Sequence, residues 1–188
     1  MWSNGNSLII KHMENKEKIE VQYYDSVCGE LILGAFGEAI CLCDWVDKKH
    51  RTYIDNRLQS RLAATYCEKR TPILAEAAAQ LDDYFARRLR RFDLPLMPIG
   101  TEFQRRVWDE LRRIPYGQTI SYKELALRIG NPKAVRAVAS ANRANPISII
   151  IPCHRVIGSN GRLVGYSGGL DKKETLLQLE VETHTELP

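Results

Sequence analysis

The sequence has no apolar run approaching the roughly 20 residues needed to cross a bilayer, and its start, Met1-Trp2-Ser3-Asn4-Gly5-Asn6, lacks the basic and apolar blocks of a secretory signal. Cysteine is sparse: five residues, an odd number without regular spacing, which argues against a disulfide framework and for a reducing cytoplasm. Histidine is sparser still, with four. One metal-like spacing occurs, Cys41-x-Cys43 with His50, and it reads better as a strand with alternating faces than as a zinc site. No phosphate-cradling glycine loop is present. Neither a metal nor a cofactor is expected.

What is there suits a globular chain. With 44% hydrophobic and 27% charged residues over 188 positions, it can bury a real core in one large or two small domains. The net charge of +4 is modest but uneven: residues 1–97 balance, and the whole excess lies in residues 98–188. Between Gln104 and Lys173, 13 basic side chains face only Asp109, Glu110, Glu124 and Asp171. A solvated basic surface explains such a bias in most proteins; a polyanion partner is the sharper reading.

Periodicity divides the chain. Residues 1–16 read as a loose leader. Alternation over 18–24, a turn followed by an apolar strand over 28–35 and a third strand over 39–46 predict a small antiparallel meander, followed by helices over 55–66 and 72–88. In the second helix Ile73, Ala77, Leu81 and Phe85 are expected to share the buried face. Two prolines and a glycine between Arg91 and Gly100 mark a connection between an N-terminal domain (17–95) and a C-terminal one (98–182). Thr101 starts a helix with Phe103, Val107, Trp108 and Leu111 as its apolar stripe. Ser121 caps a short helix from Tyr122 to Ile129, Gly130-Asn131-Pro132 turns, and a second helix is expected over 133–142. The class is thus α/β (α+β): a sheet-plus-helix domain, then a winged-helix-like, helix-turn-helix domain.

The second of these helices is rich in small residues, Ala134, Val135, Ala137, Val138, Ala139, Ser140 and Ala141, with Lys133 and Arg136 the only long side chains. A major-groove reader carries several long polar side chains. A smooth helix instead lets backbone approach a minor groove, with Arg136 free to fill a gap in a base stack.

Ile147-Ser148-Ile149-Ile150-Ile151 is expected to form a buried strand that ends in Pro152-Cys153-His154-Arg155. A thiol, an imidazole and a guanidinium in succession are costly beside a core unless paired. A base within reach and nearby positive charge would populate the Cys153 thiolate. Gly165-Tyr166-Ser167-Gly168-Gly169 can wrap a planar ligand. A last helix runs over 171–181, and on residue type alone Glu180 reads as an exposed helix-end carboxylate.

Ile151-Pro152-Cys153-His154-Arg155-Val156 followed by Gly165-Tyr166-Ser167-Gly168-Gly169 resembles the O6-alkylguanine-DNA alkyltransferases. The resemblance extends over about 100–180 through Phe103, Val107, Trp108, the Pro115–Gly117 turn, Ser121-Tyr122 and Gly130-Asn131-Pro132-Lys133. It implies a monomer that binds double-stranded DNA containing O6-alkylguanine, flips the base and takes the alkyl group irreversibly onto Cys153, with O4-alkylthymine as a second substrate. It further implies that His154 passes a proton toward Glu180, that Tyr122 protonates the leaving guanine and that Asn145 braces the turn. Val156, Tyr166, Ser167 and Lys173 would form the base pocket. Arg136 would be the stacking finger, with Ser121, Asn131, Lys133 and Ala137 on the DNA. Ser148 is small where some members carry a bulkier wall, which implies room for larger alkyl groups.

Two other classes fit parts of the pattern. A recognition module would bind the lesion without gaining mass. A Cys153–His154 hydrolase would turn over repeatedly on an ester or peptide, but the sequence offers it no evident oxyanion hole.

Overall fold

The structure, a computed structural model, describes residues 17–47 and 51–181, so the expected leader and His12, His50 and His184 lie outside it. The first three strands are β1 (Glu17–Ser26), β2 (Gly29–Phe36) and β3 (Ala39–Trp45), paired antiparallel as the expected meander requires. Helix α1 covers Arg51–Leu62 rather than 55–66. It stops because Ala63 takes a positive φ of 48°, after which Ala64–Glu68 extends as β4. This strand, absent from the sequence-based expectation, pairs parallel with β1 and gives a sheet ordered β3-β2-β1-β4.

Alternation sends the sheet's side chains to two cores. Ile19, Val21, Ile32, Cys41 and Leu42 pack on Ile54 and Leu58 of α1. Leu31, Leu33, Cys43 and Trp45 face the other way, in a core continuous with the C-terminal domain. Cys41 is the extra residue at a register shift opposite Gly34 and Ala35 and so joins the α1 core, whereas Cys43 joins the other; among the described residues no group of three or more His, Cys, Asp or Glu that could hold a metal ion occurs.

Helix α2 (Pro72–Phe85) begins where Thr71 accepts from the Leu74 amide and proline occupies its first turn. Its buried residues are Leu74, Ala77, Leu81 and Tyr84, whereas Ile73 and Phe85 are half-buried. The stripe is rotated from the one expected, and the rotation carries Tyr84 inward. The helix ends before 88 because Arg87 turns to φ 61°.

In the C-terminal domain a Thr101–Gln104 capping box starts α3 (Glu102–Leu111), whose Trp108 indole donates to the Ala141 carbonyl at 2.8 Å. Helices α4 (Tyr122–Arg128) and α5 (Val135–Arg143) form the helix-turn-helix; α5 starts two residues later than expected because Pro132 and Lys133 belong to the turn. Helix α6 (Leu170–Val181) closes the described chain.

Backbone bonds join the two domains along β3. Ile40 N donates to Pro95 O at 2.8 Å and Met97 N to Ile40 O at 2.8 Å. Cys43 N donates to Pro146 O at 3.0 Å and Ser148 N to Cys43 O at 2.6 Å. No described helix is long and apolar enough to cross a membrane.

Candidate active site

Residues 147–151 are buried as expected but are not a strand: isolated bridges at Ile147, Ser148 and Ile151 flank a tight turn. The turn exists because Ile149 has φ 71°, a conformation costing a β-branched residue about 1–3 kcal/mol. Asn145 holds it. Its amide nitrogen donates to Ile151 O at 2.9 Å and Ile147 O at 3.3 Å, while its oxygen accepts from Ile147 N at 3.0 Å. The chain leaves through Pro152 into a short 3-10 turn, Cys153–Arg155, with the Cys153 amide donating to Ile151 O at 2.8 Å.

Two-residue strands β5 (Ile120–Ser121) and β6 (Val156–Ile157) pair in parallel. Because α4 starts directly after β5, this sets Tyr122 beside the turn that carries Cys153. Asn142, on the inner face of α5, links the same parts: its amide nitrogen donates to Cys153 O at 3.2 Å and to the Tyr122 hydroxyl at 3.5 Å. Cys153 is 1% exposed. Its thiol lies within electrostatic reach of Tyr122, Tyr166 and Lys173.

Glu180 is not an exposed helix-end carboxylate; it is fully buried. It accepts from His154 Nε2 at 2.8 Å, from Arg155 Nε and Nη2 at 2.9 Å each, from the Tyr84 hydroxyl at 2.7 Å and from Gly117 N at 3.1 Å. The single-residue expectation fails because α6 packs its last turn against the 153–155 turn and α2. Burial alone would raise the Glu180 carboxyl, but the hydrogen bonds and charges of His154 and Arg155 outweigh it and hold the group far below the usual carboxylate range. Burial pushes His154 below its ordinary 6.5 despite the pull of Glu180. An ionised Glu180 can only accept, so a neutral His154 places its proton on Nε2. The opposite nitrogen, Nδ1, is left as a lone-pair acceptor, buried and without a hydrogen bond among the described residues.

The other side of the thiol is built from the 165–169 loop, where the base pocket is expected. The Tyr122 hydroxyl donates to Gly165 O at 3.1 Å, and burial raises it to about 12. Burial likewise raises Tyr166, whose hydroxyl accepts from the Trp45 indole at 3.2 Å. Gly168 passes so close to Trp45 that a Cβ would lie 2.3 Å from Cδ1 of the ring. Lys173 is buried, donates to Val156 O at 2.6 Å and Val164 O at 2.9 Å, and is lowered to about 8, chiefly by burial. Val156 is buried and Ser167 half-buried on the loop.

Ser121 caps α4 by accepting from the Glu124 amide at 3.0 Å. Asn131, Lys133, Arg136 and Ala137 are exposed on the helix-turn-helix, away from the thiol's hydrogen-bond network. Ser140 and Arg143 continue the outer face of α5, while Val138, Ala141 and Asn142 face inward.

Residues 19–98 match the ribonuclease-like domain of 6-O-methylguanine DNA methyltransferase, and residues 102–182 match its DNA-binding domain. The chain belongs to the 6-O-methylguanine DNA methyltransferase family. The methylated-DNA–protein-cysteine methyltransferase of Methanosarcina barkeri is 52% identical over 132 residues, covering 70% of this chain and 83% of the relative. That of Mycobacterium leprae is 47% identical over 162 residues, covering 86% and 92%. The crystal structure of the Mycobacterium tuberculosis O6-methylguanine methyltransferase superposes with a TM-score of 0.74 at 41% identity, covering 87% of this chain and 93% of that one. The structure from that organism in complex with DNA gives 0.75.

Within this methyltransferase family architecture, Tyr84, Trp45, Asn142 and Arg155 complete a site that residue types alone did not assign. Arg155 carried a signal, being a guanidinium next to an apolar run. The other three show only in the packing.

Proposed function

We propose that this chain repairs DNA directly, taking the alkyl group from O6 of guanine onto Cys153 once per molecule. The observation that carries the reading is the buried pair of an ionised Glu180 and a neutral His154, next in sequence to a nearly inaccessible cysteine. That pair removes the thiol proton, directly or through one water. The sulfur attacks the alkyl carbon, the carbon–O6 bond breaks, and its electron pair stays on the guanine. Tyr122, protonated at neutral pH because its value is near 12, supplies a proton to the ring and recovers one by way of His154. The net change is thiol plus alkylguanine to thioether plus guanine. A thioether is not reversed by cellular reductants, so turnover stops at one.

Tyr166, Ser167, Val156 and Lys173 bound the base pocket in this reading, and Asn145 holds the Cys153 turn. A base inside the duplex cannot reach a buried thiol, so it must be extruded, at a cost of a few kcal/mol that is least for a weakly paired lesion. The smooth outer face of α5, with Ser121, Asn131, Lys133 and Ala137 around it, lies in the minor groove, and Arg136 fills the vacated stack. The protein acts as a monomer, without a cofactor, in a reducing cytoplasm where its five cysteines form no disulfide.

Intact-protein mass after mixing with a duplex carrying one O6-methylguanine tests this. One added methyl mapped to the Cys153 peptide, with plain guanine left in the DNA, is the expected result. Tight lesion binding without a mass change would replace repair with recognition.

A further inference from the structure

One cleft among the described residues lies apart from Cys153 and the 165–169 loop. It has a volume of about 920 Å³ and is lined by the linker, the end of α3 and the back of the Ile149–Pro152 turn. Its lining includes neither Cys153, Tyr122 and the 165–169 loop nor any residue of α4 or α5. The cleft is thus separate from both the thiol and the helix-turn-helix face.

Five arginines converge on it: Arg90 and Arg91 from the linker, Arg112 and Arg113 following α3, and Arg155. Only two carboxylates, Asp93 and Asp109, share the lining. Arg113 makes an exposed pair with Glu110 at 2.9 Å, an interaction that water screens heavily. Arg155 is fixed by Glu180 and by Ile114 O at 2.7 Å. Arg90, Arg91 and Arg112 are exposed and have no ion pair among the described residues.

Aromatic surface lies between the charges. The Tyr116 ring has the Arg155 guanidinium 5.7 Å and the Arg90 guanidinium 5.9 Å from its centroid, and it is held by a hydrogen bond to Leu179 O at 3.3 Å. Phe92 lines the same wall. The cleft therefore combines a fixed, buried guanidinium, an anchored ring and a rim of long cationic side chains. Its volume falls within the roughly 300–1,000 Å³ typical of small-ligand sites.

Guanidinium forks match phosphate oxygens in charge and geometry, and several together favour a polyvalent anion over a single carboxylate. We propose that this cleft is a second anion site, taking a phosphate-bearing ligand of nucleotide size, with phosphates on the Arg91–Arg112 rim and any planar group against Tyr116 and Phe92. The same chemistry is offered by a free nucleotide and by the backbone of a nucleic-acid strand. The site stands independently of alkyl transfer.

The test is calorimetric titration of the full chain at low salt with inorganic tripolyphosphate, which has no base to enter the thiol pocket. Saturable one-to-one binding is expected, weakened at least tenfold in Arg91→Gln/Arg112→Gln and changed less than twofold in Lys133→Gln/Arg136→Ala. Equal binding by the cleft variant and the parent, or loss in the helix-turn-helix variant instead, would overturn the site. Competition by a nine-nucleotide single strand lacking any lesion distinguishes the sources: displacement of tripolyphosphate assigns the cleft to nucleic-acid backbone, and its absence assigns it to free oligophosphates.

Discussion

The Tyr84 hydroxyl donates to Glu180 at 2.7 Å across 96 residues of sequence. One residue lies on a helix of the sheet domain and the other near the end of the described chain, so the carboxylate behind His154 is set by both domains. Tyr84→Phe removes one of several donors, and a hydrogen bond to a charged group contributes about 1.5–3 kcal/mol. Denaturant unfolding should show a loss of that size. Transfer should slow less than tenfold, because Arg155 and Gly117 still hold the carboxylate.

Acid should destabilise the fold in two stages. His154 lies below its ordinary 6.5 and Glu180 below its ordinary 4.5 in the folded protein, so the unfolded chain binds more protons at both sites. Stability present at neutral pH therefore declines as pH falls through 6.5 and again below 4.5. Thermal midpoints between pH 8 and 4 check this. Glu180→Gln should flatten the lower stage and cost about 3–5 kcal/mol at pH 7, since Arg155 stays buried without its counter-charge. Lys173 has the same sign at the other end: with a folded value of about 8 against 10.5, it makes stability rise with pH across that interval.

Gly168→Ala would drive a methyl into the Trp45 ring, which cannot yield cheaply because its indole nitrogen is bonded to Tyr166. Single-turnover transfer should fall more than tenfold. Removing the obstacle in Trp45→Ala/Gly168→Ala should recover part of that loss. No recovery would mean that the loop is strained by something other than the indole.

Asn145→Ala deletes three bonds that hold the Ile149 turn at positive φ. Leaving buried backbone groups without partners costs about 1–3 kcal/mol each, so a drop in thermal midpoint should accompany slower transfer. Asn145→Asp should not restore activity, because a carboxylate cannot donate to Ile147 O and Ile151 O.

Arg136→Ala should slow repair of a duplex more than repair of a free O6-alkylguanine base, since only the duplex has a stack to fill. Arg143→Ala, two helical turns along the same exposed face, should instead reduce duplex affinity and its salt dependence without changing the ratio of the two rates. Equal slowing on both substrates for Arg136→Ala would remove its role in extrusion.

Much of this was legible in residue patterns. The Thr101 and Ser121 caps, the alternation of β1, the apolar runs of β2 and β3 and the Pro152-Cys153-His154-Arg155 run each carry a local chemical signal, and the structure realises them. What escaped depended on distant partners. Strand β4 is five residues long and pairs with a strand nearly fifty positions earlier, so nothing local separates it from the end of a helix. The Ile147–Ile151 run looks extended because β-branched residues favour strands, yet Asn145 bends it. Glu180 and Tyr84 have ordinary helical surroundings in sequence, and only the docking of α2 against α6 brings them together.

Strand β3 is the outermost strand of its sheet, and its outward backbone groups are taken up by Pro95, Met97, Pro146 and Ser148. Those four residues are all synthesised later than the sheet itself. A nascent chain that has emerged only as far as α2 therefore presents a bare, apolar edge, the kind of template that other strands add to. The sheet domain cut off after Phe92 should aggregate where the full chain does not, and in the cell the interval before Ser148 leaves the ribosome is when a chaperone would matter most.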